Sequence, residues 1–114
     1  VKKVFRIAAD AVRPVAEGYG ACLASDRITV DGLRVGYLYR EEPDFADDSG
    51  WRFFAGDETP EYASTPDHFE LYDVNTIANY DEEIVDLLDM PPGMAFIRED
   101  TGEFVPVPFD RDEE

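Results

Sequence analysis

The chain is poor in the residues that build most metal, redox and nucleophile sites. Its 114 residues include one cysteine (Cys22), one histidine (His68) and one tryptophan (Trp51). A lone thiol closes no intrachain disulfide, so packing and hydrogen bonds must hold the fold, and the composition fits a reducing compartment. Lysine is almost absent: Lys2 and Lys3 are the only two. No apolar run approaches the roughly 20 residues of a membrane helix. The opening VKKVFRIAAD lacks a long apolar core, so no secretory signal is read and a cytoplasmic location is expected.

What is abundant is negative charge. Twenty-seven Asp and Glu face ten Lys and Arg, a net charge of −17. Such a field repels nucleic acid and anionic membranes and attracts basic partners. Its plainest reading is solubility or adaptation to salt; the sharper one is a partner with a basic face. Apolar and aromatic residues suffice for one core at this length, which argues against disorder. The expected organisation is one domain over residues 1–109 and an acidic tail from Asp110 to Glu114.

Periodicity and turn residues predict α+β: a mostly antiparallel or mixed sheet with short helices packed on one face. A short helix is expected near Ala8 to Val12, ended by Pro14, and a strand over Ala21 to Ser25. Asp31-Gly32 between Ile28-Thr29-Val30 and Leu33-Arg34-Val35 predicts a two-residue hairpin. Its second arm continues to Arg40 as a central strand. Glu41 to Gly50 reads as an acidic loop, and Trp51 to Ala55 as the next strand. Thr59-Pro60 starts a helical turn, Phe69 to Tyr72 is a strand, and Asp73 or Asn75 caps a short helix. A second helix is expected from Asp81 to Asp89, with Ile84, Leu87 and Leu88 buried. Met94 to Arg98 and Phe104-Val105 complete the sheet, and Pro106 and Pro108 blunt its edge.

The motifs of reaction chemistry are missing from the sequence. One His and one Cys cannot make a zinc site. The acidic cluster Asp44, Asp47, Asp48, Asp57, Glu58 lacks calcium-loop spacing: counting from Asp44, position three is Ala46, position six Ser49 and position twelve Ala55. No G-x-S-x-G surrounds Ser49, nothing local activates Cys22, and Gly18-Tyr19-Gly20 lacks dinucleotide-binding spacing. No catalytic residue, cofactor or metal is assigned, and a non-enzyme is expected. The stretch from Tyr37 to Glu58 is the best recognition candidate. Its partner-binding candidates are Glu41, Glu42, Asp44, Asp47, Asp48, Trp51, Asp57 and Glu58. Arg40 and Arg52 are read as bracing the loop through salt bridges to Glu41, Asp48 or Asp57. Trp51 is read first as a core residue and second as a contact, since large aromatics dominate both settings.

The segments GYGACLASDRIT, VGYLYREEP, DDSGWRFFAGDE, YDVNTIANYD and AFIRE, in that order, are similar to the bacterial immunity-protein thirty-three-like family, formerly a domain of unknown function. The resemblance runs from about Phe5 to Val105. Its most specific pieces are Tyr39-Arg40-Glu41, Asp48-Ser49-Gly50-Trp51, Gly56-Asp57-Glu58 and Asn75 through Tyr80. It implies a binding protein that neutralises a toxin of a bacterial polymorphic toxin system, and it brings no catalytic residues. Two functions follow as expectations. The first is inhibition of a cognate toxin with a basic surface. The alternative is a stand-alone housekeeping or small-molecule-binding domain with a pocket lined by Tyr37, Tyr39 and Trp51.

Overall fold

The computed structural model describes residues 3–109, so the acidic tail expected over Asp110 to Glu114 lies outside the described residues. Six strands form one mixed sheet in the order β4-β1-β3-β2-β5-β6. They are β1 (Ala21–Ser25), β2 (Tyr37–Arg40), β3 (Asp48–Phe54), β4 (Phe69–Asp73), β5 (Ala95–Arg98) and β6 (Phe104–Val107). The β1–β3 pair is parallel; every other pair is antiparallel. The helices are short: α1 (Asp26–Thr29), α2 (Pro60–Ala63) and α3 (Val74–Tyr80), with 3-10 turns at Ala9–Ala11, Pro66–His68 and Glu82–Leu87.

The period-2 alternation of the strands sorts side chains between two sheet faces. Cys22, Ala24, Leu38, Trp51, Phe53 and Phe96 point to one face. There they bury Ile28 of α1, Val74, Ile77 and Ala78 of α3, and Ile84 and Leu88 of the following turn. The helices start where the sequence places an oxygen: Thr59, Asp73 and Asp81 each accept a backbone N–H of the next turn, and Ser25 does the same for α1.

Three expectations change. Asp31-Gly32 is not a hairpin. Ile28 and Thr29 belong to α1, and Gly32, at φ +83°, ends it by donating its N–H to the Ile28 carbonyl while Leu33 donates to that of Arg27. The acidic loop is shorter than read, because β3 begins at Asp48 and Gly50 sits inside it. The helix expected over Asp81 to Asp89 is a tighter 3-10 turn, with Ile84 and Leu88 fully buried and Leu87 at the core's edge.

One side of α3 holds the N-terminal segment. Asn75 Oδ1 accepts from the amides of Val15 (2.6 Å) and Ala16 (2.8 Å), while its Nδ2 donates to the Arg13 carbonyl. Asn79 grips Arg13 from both sides of its peptide unit, and the Tyr80 hydroxyl accepts from Ile7 N–H and donates to the Thr29 carbonyl. These side chains take the place of a strand ladder for a segment that carries the 3-10 turn Ala9–Ala11 but joins no strand of the sheet.

Candidate interaction surface

Arg52 organises the acidic loop. It sits on the sheet face opposite Trp51 and is only 5% exposed. A guanidinium at that depth needs every donor paired. Its fork closes on Asp48, Nη1 to Oδ1 at 2.9 Å and Nη2 to Oδ2 at 2.8 Å, and Nε donates to Glu41 Oε2 at 2.7 Å. The Asp48 carboxylate also accepts the amides of Asp44 (2.8 Å) and Gly50 (2.9 Å). The Arg52 guanidinium, with those two amides, holds the Asp48 carboxyl well below the usual carboxylate range.

Arg40 works differently. Its Nε donates to the Ser49 carbonyl at 2.8 Å and Nη1 to the Met90 carbonyl at 2.7 Å, and its guanidinium lies 5.7 Å from the centroid of the Trp51 ring. Arg40 therefore ties β3 to the segment before β5 through carbonyls, on the side of the sheet away from Arg52. Trp51 is fully buried, stacks on Phe53 and donates its indole N–H to the Leu88 carbonyl at 3.2 Å. It offers a partner no surface, which corrects its place among the candidate contacts. It also shares no pocket with Tyr37 and Tyr39, which point to the opposite face.

The other candidates separate into two groups. Glu42, Asp44 and Asp47 are exposed at the loop, with the Asp44 side chain 78% accessible, whereas Asp48 is buried and Glu41 is half-buried against Arg52. Asp57 and Glu58 lie past the far end of β3, about 20 Å away along a strand rising ~3.3 Å per residue. Asp57 pairs with Arg27 at 2.5 Å, not with Arg40 or Arg52, and Glu58 accepts the amides of Ala55 and Gly56. Phe45, 43% exposed among the loop's exposed carboxylates, escaped the sequence reading. A lone aromatic in a polar loop was its only signal.

The sheet face that carries Arg52 was also not foreseen. One row across it runs Phe69, Ser25 and, through β3 and β2, Phe54, Tyr37, Ile97 and Val105; the next runs Leu71, Leu23, Arg52, Tyr39, Ala95 and Val107. Rings pack along the first row, Tyr37 with Phe54 and Phe54 with Phe69 at 5.7 Å, and Tyr39 stacks on Phe109 at 4.9 Å. Among the described residues no helix lies across this face; α2 reaches its corner, with Tyr62 against Phe69. An open groove of about 730 Å³ runs beside Tyr37, Phe54, Ala63 and Ile97, its charged lining divided between Asp57 and Glu58 on one side and Arg34 and Arg98 on the other.

Cys22 lies in the core on the helical side, where burial pushes its thiol well up. His68 stacks on Tyr62 at 3.9 Å, its Nδ1 3.1 Å from the Tyr62 carbonyl. Among the described residues no group of three or more His, Cys, Asp and Glu side chains is placed to hold a metal ion, and no helix is long and apolar enough to cross a membrane.

Comparison with curated proteins and with solved structures finds no match. A family model described as the immunity protein Imm33 domain matches residues 22–108, starting within β1 and ending just beyond β6. With most of its length so matched, the chain belongs to the Imm33 immunity protein family.

Proposed function

We propose that the chain is a non-enzymatic cytoplasmic binding protein that neutralises a cognate toxin by covering a basic surface of it, its active site or its substrate face. The observation that carries this reading is the division of labour in the acidic loop. Arg52 takes up the inner carboxylates, Asp48 and Glu41, and touches Asp44 at 3.7 Å, while Glu42, Asp44 and Asp47 stay exposed on the base so formed. Carboxylates held on a rigid support steer a basic partner and fix its orientation. Phe45 between them is an aromatic anchor of the kind that contributes disproportionately to protein interfaces.

The test is co-expression with the protein encoded beside this gene. The chain is expected to co-purify with it and relieve its toxicity. Reversing the exposed charges together, Glu42→Lys, Asp44→Lys and Asp47→Lys, should slow association about tenfold or more at low salt while leaving the fold intact. A neighbouring product that is neither toxic nor bound by the chain would defeat the reading. Small-molecule binding is less well supported. Arg40 and Arg52 lie on opposite sides of the sheet and do not converge on a ligand, and the charged residues lining the groove, Arg34, Asp57, Glu58 and Arg98, already have partners.

A further inference from the structure

A sheet with helices on one face leaves the other to water, to a partner or to the chain's own non-helical segments, and here Phe109 stacks on Tyr39 at one end of it. The parallel pair β1–β3 sharpens the question, because parallel strands are usually buried on both faces. Here both carry apolar residues on the helix-free side: Leu23 from β1 and Phe54 from β3, flanked by Phe69 and Leu71 of β4 and Ile97 of β5. Leu71 is 57% exposed and Ile97 37%, values that suit a contact surface better than a solvated one. Six strands spaced ~4.8 Å apart and about 15 Å long give this face a footprint on the order of 400 Å². That is about half of what one partner contributes to a standard interface of ~800 Å² per side. The loop carrying Glu42 to Asp47 adjoins the same face through Arg52 and Glu41, and can supply the remainder.

Charge decides the occupant. One end of the face carries Glu41, Asp44 and Asp48 around a single Arg52 and adjoins the loop with exposed Glu42 and Asp47; the other carries Asp57, paired with Arg27, and Glu58, beside Arg34 and Arg98. A second copy of the chain would set this acidic loop against its own, with −17 on each molecule. We propose that the helix-free sheet face is a docking surface for a different protein, one that presents aliphatic or aromatic side chains flanked by lysine or arginine. This rests on the reading that the chain acts by binding a protein, and it names the contact: an apolar ridge seated on Leu23, Phe54, Phe69, Leu71 and Ile97, with cations reaching the exposed carboxylates Glu42, Asp44 and Asp47 of the adjoining loop.

Two measurements test it. In the first, the isotope-labelled chain is titrated, with amide shifts followed by NMR, with an eight-residue peptide of alternating leucine and lysine and with its leucine–glutamate counterpart. Saturating shifts confined to β1, β3, β4 and β5 are expected with the cationic peptide and none with the anionic one. Leu71→Gln combined with Ile97→Gln, both at exposed positions, should weaken binding about fivefold or more with the spectrum otherwise folded. Shifts centred on α1 and α3, equal binding of the two peptides, an unaffected double variant or no binding would each overturn the docking surface. In the second, hydrogen exchange is compared with and without the neighbouring gene's product. Protection across the helix-free face supports the proposal. A complex that forms but protects the helical side overturns it and leaves the toxin reading standing. If the neighbouring product does not bind, the toxin reading fails and the peptide titration alone decides the docking surface.

Discussion

Arg52 is the residue on which loop and sheet face meet, and its removal should cost more than its hydrogen-bond count suggests. Arg52→Met keeps the aliphatic stem but leaves Asp48 buried and charged without its bidentate partner. Breaking a buried pair from one side costs about 3–5 kcal/mol, so urea denaturation at pH 7 should show a loss of that order. The pH dependence follows from the same contact. The folded-state pKa of Asp48 is depressed from its ordinary 3.8, so its stabilisation is fully present above that value and is lost as pH falls through it towards the folded pKa. Stability of the natural chain should therefore decline from about pH 5 downwards. In Arg52→Met the decline should be shallower; an unchanged slope would mean that Asp48 is not held by Arg52. The need for a partner at Arg52 is legible in the sequence, since a guanidinium inside an apolar strand has to be paired. The partners of Arg40 are not legible, because the carbonyls of Ser49 and Met90 carry no signature in their own residue types.

The element that sets the geometry is the β2–β3 pair, and two glycines let its ends close. Gly36 donates to the Phe54 carbonyl at one end, and Glu41 donates to the Gly50 carbonyl at the other. A Cβ on Gly50 would stand 2.1 Å from the Glu41 carbonyl oxygen, and φ there is +87°. Gly93 has a similar φ of +97° but open space around its missing Cβ. Gly93→Ala should therefore cost about 1–2 kcal/mol, the strain of a left-handed residue alone. Gly50→Ala should cost at least twice that, with Asp48 displaced from Arg52, as thermal denaturation of the two variants would show. Equal losses would mean that Glu41 yields freely and that the loop base is soft. Most elements could be read from the chain because caps and strand alternation are local signals: Thr59, Asp73 and Asp81 each stand where a helical turn begins. Asp31-Gly32 misled because a glycine of positive φ serves a hairpin and a helix end equally, and the choice depends on whether Ile28 finds a core to face. Trp51 was ambiguous for a related reason. Its face follows from register, and Arg40 opposite Trp51 is a long-range fact.

At the scale of the whole molecule, charge acts on folding and binding with opposite signs. The described body measures 38 × 35 × 31 Å, so charges on opposite sides lie farther apart than the ~10 Å Debye length at 0.1 M salt, while the exposed loop carboxylates Glu42, Asp44 and Asp47 are neighbours along one short stretch of chain. With −17 on the chain, repulsion among exposed carboxylates works against the compact state, and salt relieves it. The Arg52–Asp48 pair is buried and is screened far less. Raising NaCl from 10 mM to 0.5 M should therefore raise the melting temperature, with each 1 kcal/mol relieved appearing as about 4–8 °C. Over the same range, association with a basic partner should slow and weaken, because the same carboxylates supply the steering. The helix-free apolar face should be indifferent to salt, so binding should keep a residual component that survives at high salt and disappears in the Leu71→Gln, Ile97→Gln variant. Calorimetry across the salt series separates the contributions. Binding abolished altogether at 0.5 M would place the whole contact on the acidic loop. Binding that does not change with salt would make the acidity a property of solubility alone.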